Sequence, residues 1–130
     1  MASYELISED VIAKVNQTRK NLYEFAEVIK KDRQLSNRSE SDDMLAVLAG
    51  SQRKIDQIEK NIKETNKYYL YLNKEIEADD TLVSEEAMEK NMCALAVITK
   101  TVNTMYDSSE LLLRKSTTAI SSPENKSEEN

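Results

Sequence analysis

Few side chains in this chain could do chemistry, and their spacing limits them further. Histidine is absent, which removes the commonest general base and the commonest transition-metal ligand. Cys93 is the single cysteine. With no histidine to lower its pKa it is a poor nucleophile, and it reads as a small packing residue. Acidic residues gather at Glu75, Glu77, Asp79 and Asp80, and again at Glu85, Glu86 and Glu89. Paired carboxylates can pass a proton or hold a divalent cation. Here no glycine stands where a cation-binding loop needs its sharp turn. The acids flank helix ends, where they stay solvated and complement the dipole. One glycine in the whole chain also excludes a phosphate-cradling loop. The expectation is a protein without catalytic residues, metal, cofactor or small-molecule substrate.

What stands out instead is apolar. From Asn66 to Ile76 the chain reads NKYYLYLNKEI. A helix with one buried side needs an apolar residue at every third or fourth position. Tyr68, Tyr69, Leu70, Tyr71 and Leu72 are consecutive and point all round the axis. A second run, CALAVI, spans Cys93 to Ile98.

Composition narrows the setting. The 130 residues carry 24 acidic and 18 basic side chains, a net charge of −6. Phosphate backbones are held by clustered Lys and Arg. No basic run exceeds Lys30-Lys31 or Arg53-Lys54, so nucleic-acid binding is not expected. The most apolar window is far shorter than the roughly 18 residues that span a bilayer, so no membrane insertion is expected. An unpaired cysteine and no recognisable signal peptide suit an intracellular protein, cytoplasmic or nuclear rather than secreted.

The elements that must position these runs are helices. One glycine and one proline in the chain leave little material for the turns that a sheet requires. Helix 1 is expected over about 9–34, capped by Ser8, with the seam Val11, Val15, Thr18, Leu22, Phe25, Ile29. Helix 2 is expected over about 42–77, with the seam Met44, Leu48, Ser51, Ile55, Ile58, Ile62, Thr65, Tyr69, Leu72, Ile76. Helix 3 is expected over about 84–115, capped by Ser84. Its seam is Met88, Asn91, Leu95, Ile98, Val102, Met105, Ser109, Leu112, with a second stripe at Met92, Thr99, Tyr106 and Leu113. The steps alternate 4 and 3, a heptad. Residues 116–130 are polar and Ser-rich, which predicts a disordered acidic tail after a domain of residues 1–115.

The fold class expected is therefore all-α: an elongated antiparallel three-helix coiled-coil bundle with a protruding helix 2/helix 3 arm. Short connections, SNRSES after helix 1 and Glu77 to Thr81 after helix 2, make consecutive helices antiparallel. Folding about residue 80 sets Ile55 against Met105, Ile58 against Val102 and Ser51 against Ser109. Folding about residue 36 sets Phe25 against Leu48 and Val15 against Ile58. Helix 1 then begins beside Ile62, and the arm from Lys67 to Leu95 lies beyond it. Tyr68, Leu70, Tyr71, Met92, Ala96 and Val97 become candidate partner-binding residues, because contiguous exposed apolar surface marks contact sites and tyrosine is enriched in them. In the alternative arrangement MASYELI folds over this end, with Tyr4 continuing the heptad to meet Tyr69.

Two functions fit. The first is a non-enzymatic subunit of a multi-subunit complex, bound to other helical subunits through helix–helix contacts. In length, helix content and heptads the chain looks like the short acidic coiled-coil subunits of organelle-biogenesis, kinetochore and Mediator complexes, though no motif assigns it to a family. The second is a self-associating helical adaptor or regulator that recruits a basic partner through the acidic helix 2/helix 3 corner or the tail.

Overall fold

The computed structural model describes residues 3–33, 38–79, 81 and 83–129. Three helices follow an extended segment: α1 Glu9–Arg33, α2 Arg38–Ala78 and α3 Glu85–Glu129. The sequence-based caps hold. Ser8 Oγ accepts the Val11 N–H at 3.3 Å, and Ser84 Oγ accepts the Ala87 N–H at 3.1 Å. Each satisfies an amide that the helix itself leaves open. Glu9 and Asp10 begin α1, and Glu85 and Glu86 begin α3, where carboxylates suit the positive end of the dipole. Gln34, Ser36, Asn37 and Asp80, which fall at the expected helix 1 end and in the two connections, lie outside the described residues.

α2 begins at Arg38 rather than near Asp42, and Ser41 is buried within it. α3 does not stop at residue 115. Its helical span runs to Glu129, through the segment expected to be a disordered tail. Propagating a formed helix requires no new nucleus, and this backbone continues one.

Side-chain contacts fix the directions. Along α2, Arg19 of α1 bonds Asp56 and Glu59, and the earlier Ile7 bonds Asn66, so the two run antiparallel. Along α3, Glu5 meets Asn91, Lys14 meets Asn103 and Asn21 meets Ser109, so α1 and α3 run parallel. All six residues of the expected α1 seam are buried, together with Ile55, Ile58 and Ile62 of α2 and Val102 of α3. The core is the expected one, but its arrangement is not. α1 packs along both long helices, while α2 and α3 approach each other closely in only a few places. The direct α2–α3 pairing expected along the seams is replaced by α1 seated between them. A third helix laid into the groove of a pair buries two faces at once, and α1 has the residues for both.

The second face of α1 is polar in one layer. Asn21 is buried and its amide donates to Ser109 Oγ at 3.1 Å, while Ser109 donates to the Tyr106 carbonyl at 2.8 Å. Ser109 therefore answers Asn21 of α1 rather than Ser51, which is only half-buried. The outer ends of the seams also shift. Met44 and Leu112 are exposed, while their neighbours Leu45 and Leu113 pack against the core. At the end of α3 the cause is helical drift: a straight helix falls about 20° behind a strict seven-residue repeat with each heptad, which turns Leu113 inward in place of Leu112. Cys93, expected to pack, is exposed. It lies two positions from both Asn91 and Leu95, on the outer side of α3.

The arm is present, because α2 and α3 both extend past the start of α1, but it is not bare. Residues 3–8 run up between the two helices in extended form. Tyr4, Tyr69 and Ile76 form a second core cluster there, joined to the main one through Leu95. The rings of Tyr4 and Tyr69 lie 5.3 Å apart, the contact of the alternative arrangement, made without a helical turn.

Candidate partner-docking site

The apolar run on α2 divides according to the helix period. Tyr69 and Ile76 turn inward and are buried, with Leu72 half-buried beside them. The residues between them cannot follow. Tyr68 is 56% exposed and Tyr71 59%. Tyr68 stands edge-on to Tyr69, ring centroids 5.2 Å apart, so one side of its ring is covered and the other open.

Leu70 and Tyr71 line a shallow groove between α2 and the start of α1, with Ile12 and Ile62 also in its lining. Lys63, Lys67 and Lys74 flank it, with Asn66. Lysines at these positions share a stripe with Leu70, since residues three, four and seven apart on a helix lie near one face. Lys63 also pairs with Glu59 at 3.6 Å, an exposed i,i+4 pair of the kind worth about 0.3–0.5 kcal/mol. The groove is thus an apolar surface with a positive rim.

On α3 the surroundings have the opposite sign. Met92 lies in a second groove with Val83 and Met88, bordered by Glu85, Glu86 and Glu89. Ala96 and Val97 are exposed further along α3. The six candidate residues are all exposed, but they do not form one patch. Leu70 and Tyr71 share the lysine-flanked groove, Met92 belongs to the acid-flanked one, and Tyr68, Ala96 and Val97 line neither. Sequence reasoning missed Ile12 and the three lysines. The lysine spacing on α2 was the signal available, but only the packing of α1 brings Ile12 beside it.

The acidic corner has a structural role at one residue. The Asp79 carboxylate accepts the Thr81 hydroxyl at 2.6 Å and the Thr81 N–H at 3.1 Å. These bonds hold its pKa below the usual carboxylate value. A depressed carboxylate pKa stabilises the fold at pH above its ordinary value, and that contribution fades as pH falls through the lowered one. Among the described residues no group of acids and Cys93 is placed to hold a metal ion, and no helix is long and apolar enough to cross a membrane.

Beneath these surfaces is a set of asparagines without a counterpart elsewhere among the described residues. Asn73 accepts the Tyr4 N–H at 2.7 Å and donates to the Tyr4 carbonyl at 3.0 Å. Asn91 does the same to Glu5, at 2.9 Å each way. Asn66 does the same to Ile7, at 2.7 and 3.3 Å. Each amide thus meets both main-chain groups of one residue. Asn91 had stood in the expected α3 seam with no role; a polar residue in an apolar seam was its signal. Asn66 and Asn73 carried only their spacing of seven. No family model matches the sequence, and neither a curated protein nor a solved structure matches it.

Proposed function

We propose that this protein is a non-enzymatic subunit of a multi-protein assembly, working through the docking of partner helices. The observation that carries the reading is the groove of Ile12, Leu70 and Tyr71 between Lys63, Lys67 and Lys74. An amphipathic helix with an apolar stripe and acidic flanks fits such a surface by shape and sign. Tyrosine offers such a partner a large apolar body with a polar tip at little entropic cost. The test is to replace Leu70 and Tyr71 together with Glu and purify the tagged full chain from its native source. The variant should keep its helicity and lose a stoichiometric partner that the unaltered chain retains. Retention of the same partner by a well-folded variant overturns the reading.

A second reading is self-association, favoured by one observation. The acid-flanked groove of Val83, Met88 and Met92 is opposite in sign to the lysine-flanked one, so one copy's groove could receive the other's rim. Light scattering on the purified chain separates the two: a defined oligomer that Lys67→Glu dissociates supports self-association, and a monomer excludes it.

A further inference from the structure

The extended segment before α1 is held in an unusual way. Its side chains contribute two buried anchors, Tyr4 and Ile7, each 4% exposed. Leu6 is half-buried against the Tyr4, Tyr69 and Ile76 cluster, and the remaining grip falls on the main chain. Three asparagines make six hydrogen bonds to the N–H and C=O groups of Tyr4, Glu5 and Ile7. Peptide groups are common to every sequence, so a cleft that reads them is indifferent to most side chains.

The geometry is that of a built cleft. Asn66 and Asn73 are two helical turns apart, about 10.5 Å at 1.5 Å per residue. Tyr4 and Ile7 are three residues apart, about 10 Å in an extended chain. The two spacings match, so amides seven apart on α2 meet peptide groups three apart on the segment. Asn91 closes from α3 onto the residue between. In a regular strand, residues 4 and 7 would face opposite sides. Here both bond α2 and both are buried, a three-residue repeat.

We propose that this cleft is a binding site for extended peptide, occupied in cis by residues 3–8 and open in trans to a partner's extended segment with bulky apolar residues at positions i and i+3. The occupant's chemistry is read from the segment already there: Tyr4 and Ile7 buried inward, Leu6 half-buried, Ser3 and Glu5 exposed. Asn91 is fully buried with the strap in place, and an empty cleft would open it and the apolar walls beside it to water, so strap and partner exchange rather than leave a vacancy. Tethering gives the strap an effective concentration in the millimolar range, and the partner has to exceed that. Asn66 also lines the lysine-flanked groove, so the cleft adjoins that surface. The proposal does not depend on what docks there.

The test uses the full chain with its strap weakened, Tyr4→Ser with Ile7→Ser, and a fluorescent synthetic peptide of residues 3–8. Fluorescence anisotropy should show saturable binding to the weakened chain, and at least tenfold weaker binding to the unaltered one. Adding Asn91→Ala to the weakened chain should reduce binding at least tenfold. Methylating the peptide's nitrogens at Tyr4, Glu5 and Ile7 should do the same. Failure of a helical, weakened chain to bind overturns the proposal. So does binding that neither the asparagine nor the methyl groups affect. A second measurement covers the case in which the weakened chain does not fold. On the unaltered chain, millimolar peptide should accelerate hydrogen exchange at the Tyr4, Glu5 and Ile7 amides, and unchanged protection there overturns the proposal equally.

Discussion

The two ends of this bundle bury similar apolar side chains against the same two helices, yet they hold their third element by different means. Around Ile55 and Val102 the third element is α1, which satisfies its own main chain. Its neighbours need only supply apolar surface, with one polar layer at Asn21 and Ser109. Around Tyr69 and Ile76 the third element is residues 3–8, which form neither helix nor strand. Buried peptide groups must be paired, so α2 and α3 contribute three asparagines there. A helix can therefore be packed by carbon alone, whereas an extended chain between helices needs amides at matched spacing. Among the described residues no buried side-chain polar atom is left unpartnered.

The sharpest way to break the comparison is at the core of the first region. Ile55 is fully buried, and Ile55→Ala should cost about 2–5 kcal/mol, seen as a lower denaturant midpoint and faster hydrogen exchange throughout the chain. Tyr4→Ala removes a comparable buried side chain, but the strap can detach without unfolding α1. Its loss should be about 2–3 kcal/mol by burial and confined to the far end. Exchange should rise at residues 4–7 while amides around Val15 and Ile55 remain protected. Equal acceleration at both ends would show one cooperative unit rather than two.

Smaller effects probe the polar contacts. Asn91→Ala orphans the Glu5 N–H and C=O and should cost about 1–3 kcal/mol, again local to the strap. Asn21→Leu with Ser109→Ala removes both partners together, and replacing both ends of a buried hydrogen bond by apolar groups is nearly neutral. A double variant destabilised as much as Asn91→Ala would show that the two ends treat polar groups alike. Gly50→Ala should add about 1 kcal/mol, because a methyl group there meets only Arg53 Nη2 at 3.8 Å, an ordinary contact. It should raise the melting temperature by a few degrees without altering exchange at the strap.

Arg19 also gives a small effect. Partial burial opposes its charge, but hydrogen bonds and attraction from Glu59 and Asp56 outweigh this and raise its pKa. The site is partly exposed, so Arg19→Ala should cost no more than about 1 kcal/mol, and the loss should shrink in high salt.

The sequence by itself determined three helices, two of their caps and nearly all of their buried faces, because these follow from local periodicity and the chemistry of single residues. Val11, Val15, Thr18, Leu22, Phe25 and Ile29 could be identified as one face before any partner was known. It also marked Tyr68, Leu70, Tyr71, Met92, Ala96 and Val97 as surplus apolar residues, since no single helix face holds them all. Only the tertiary structure decided that α1 lies between its neighbours, that Leu70 and Met92 belong to separate grooves of opposite sign, and that residues 3–8 stay extended. A heptad is indifferent to which of two neighbours it faces, and choosing between them requires the whole set of contacts. The strap requires it most: asparagines at 66, 73 and 91 look like ordinary helix-surface residues until an extended chain lies between them.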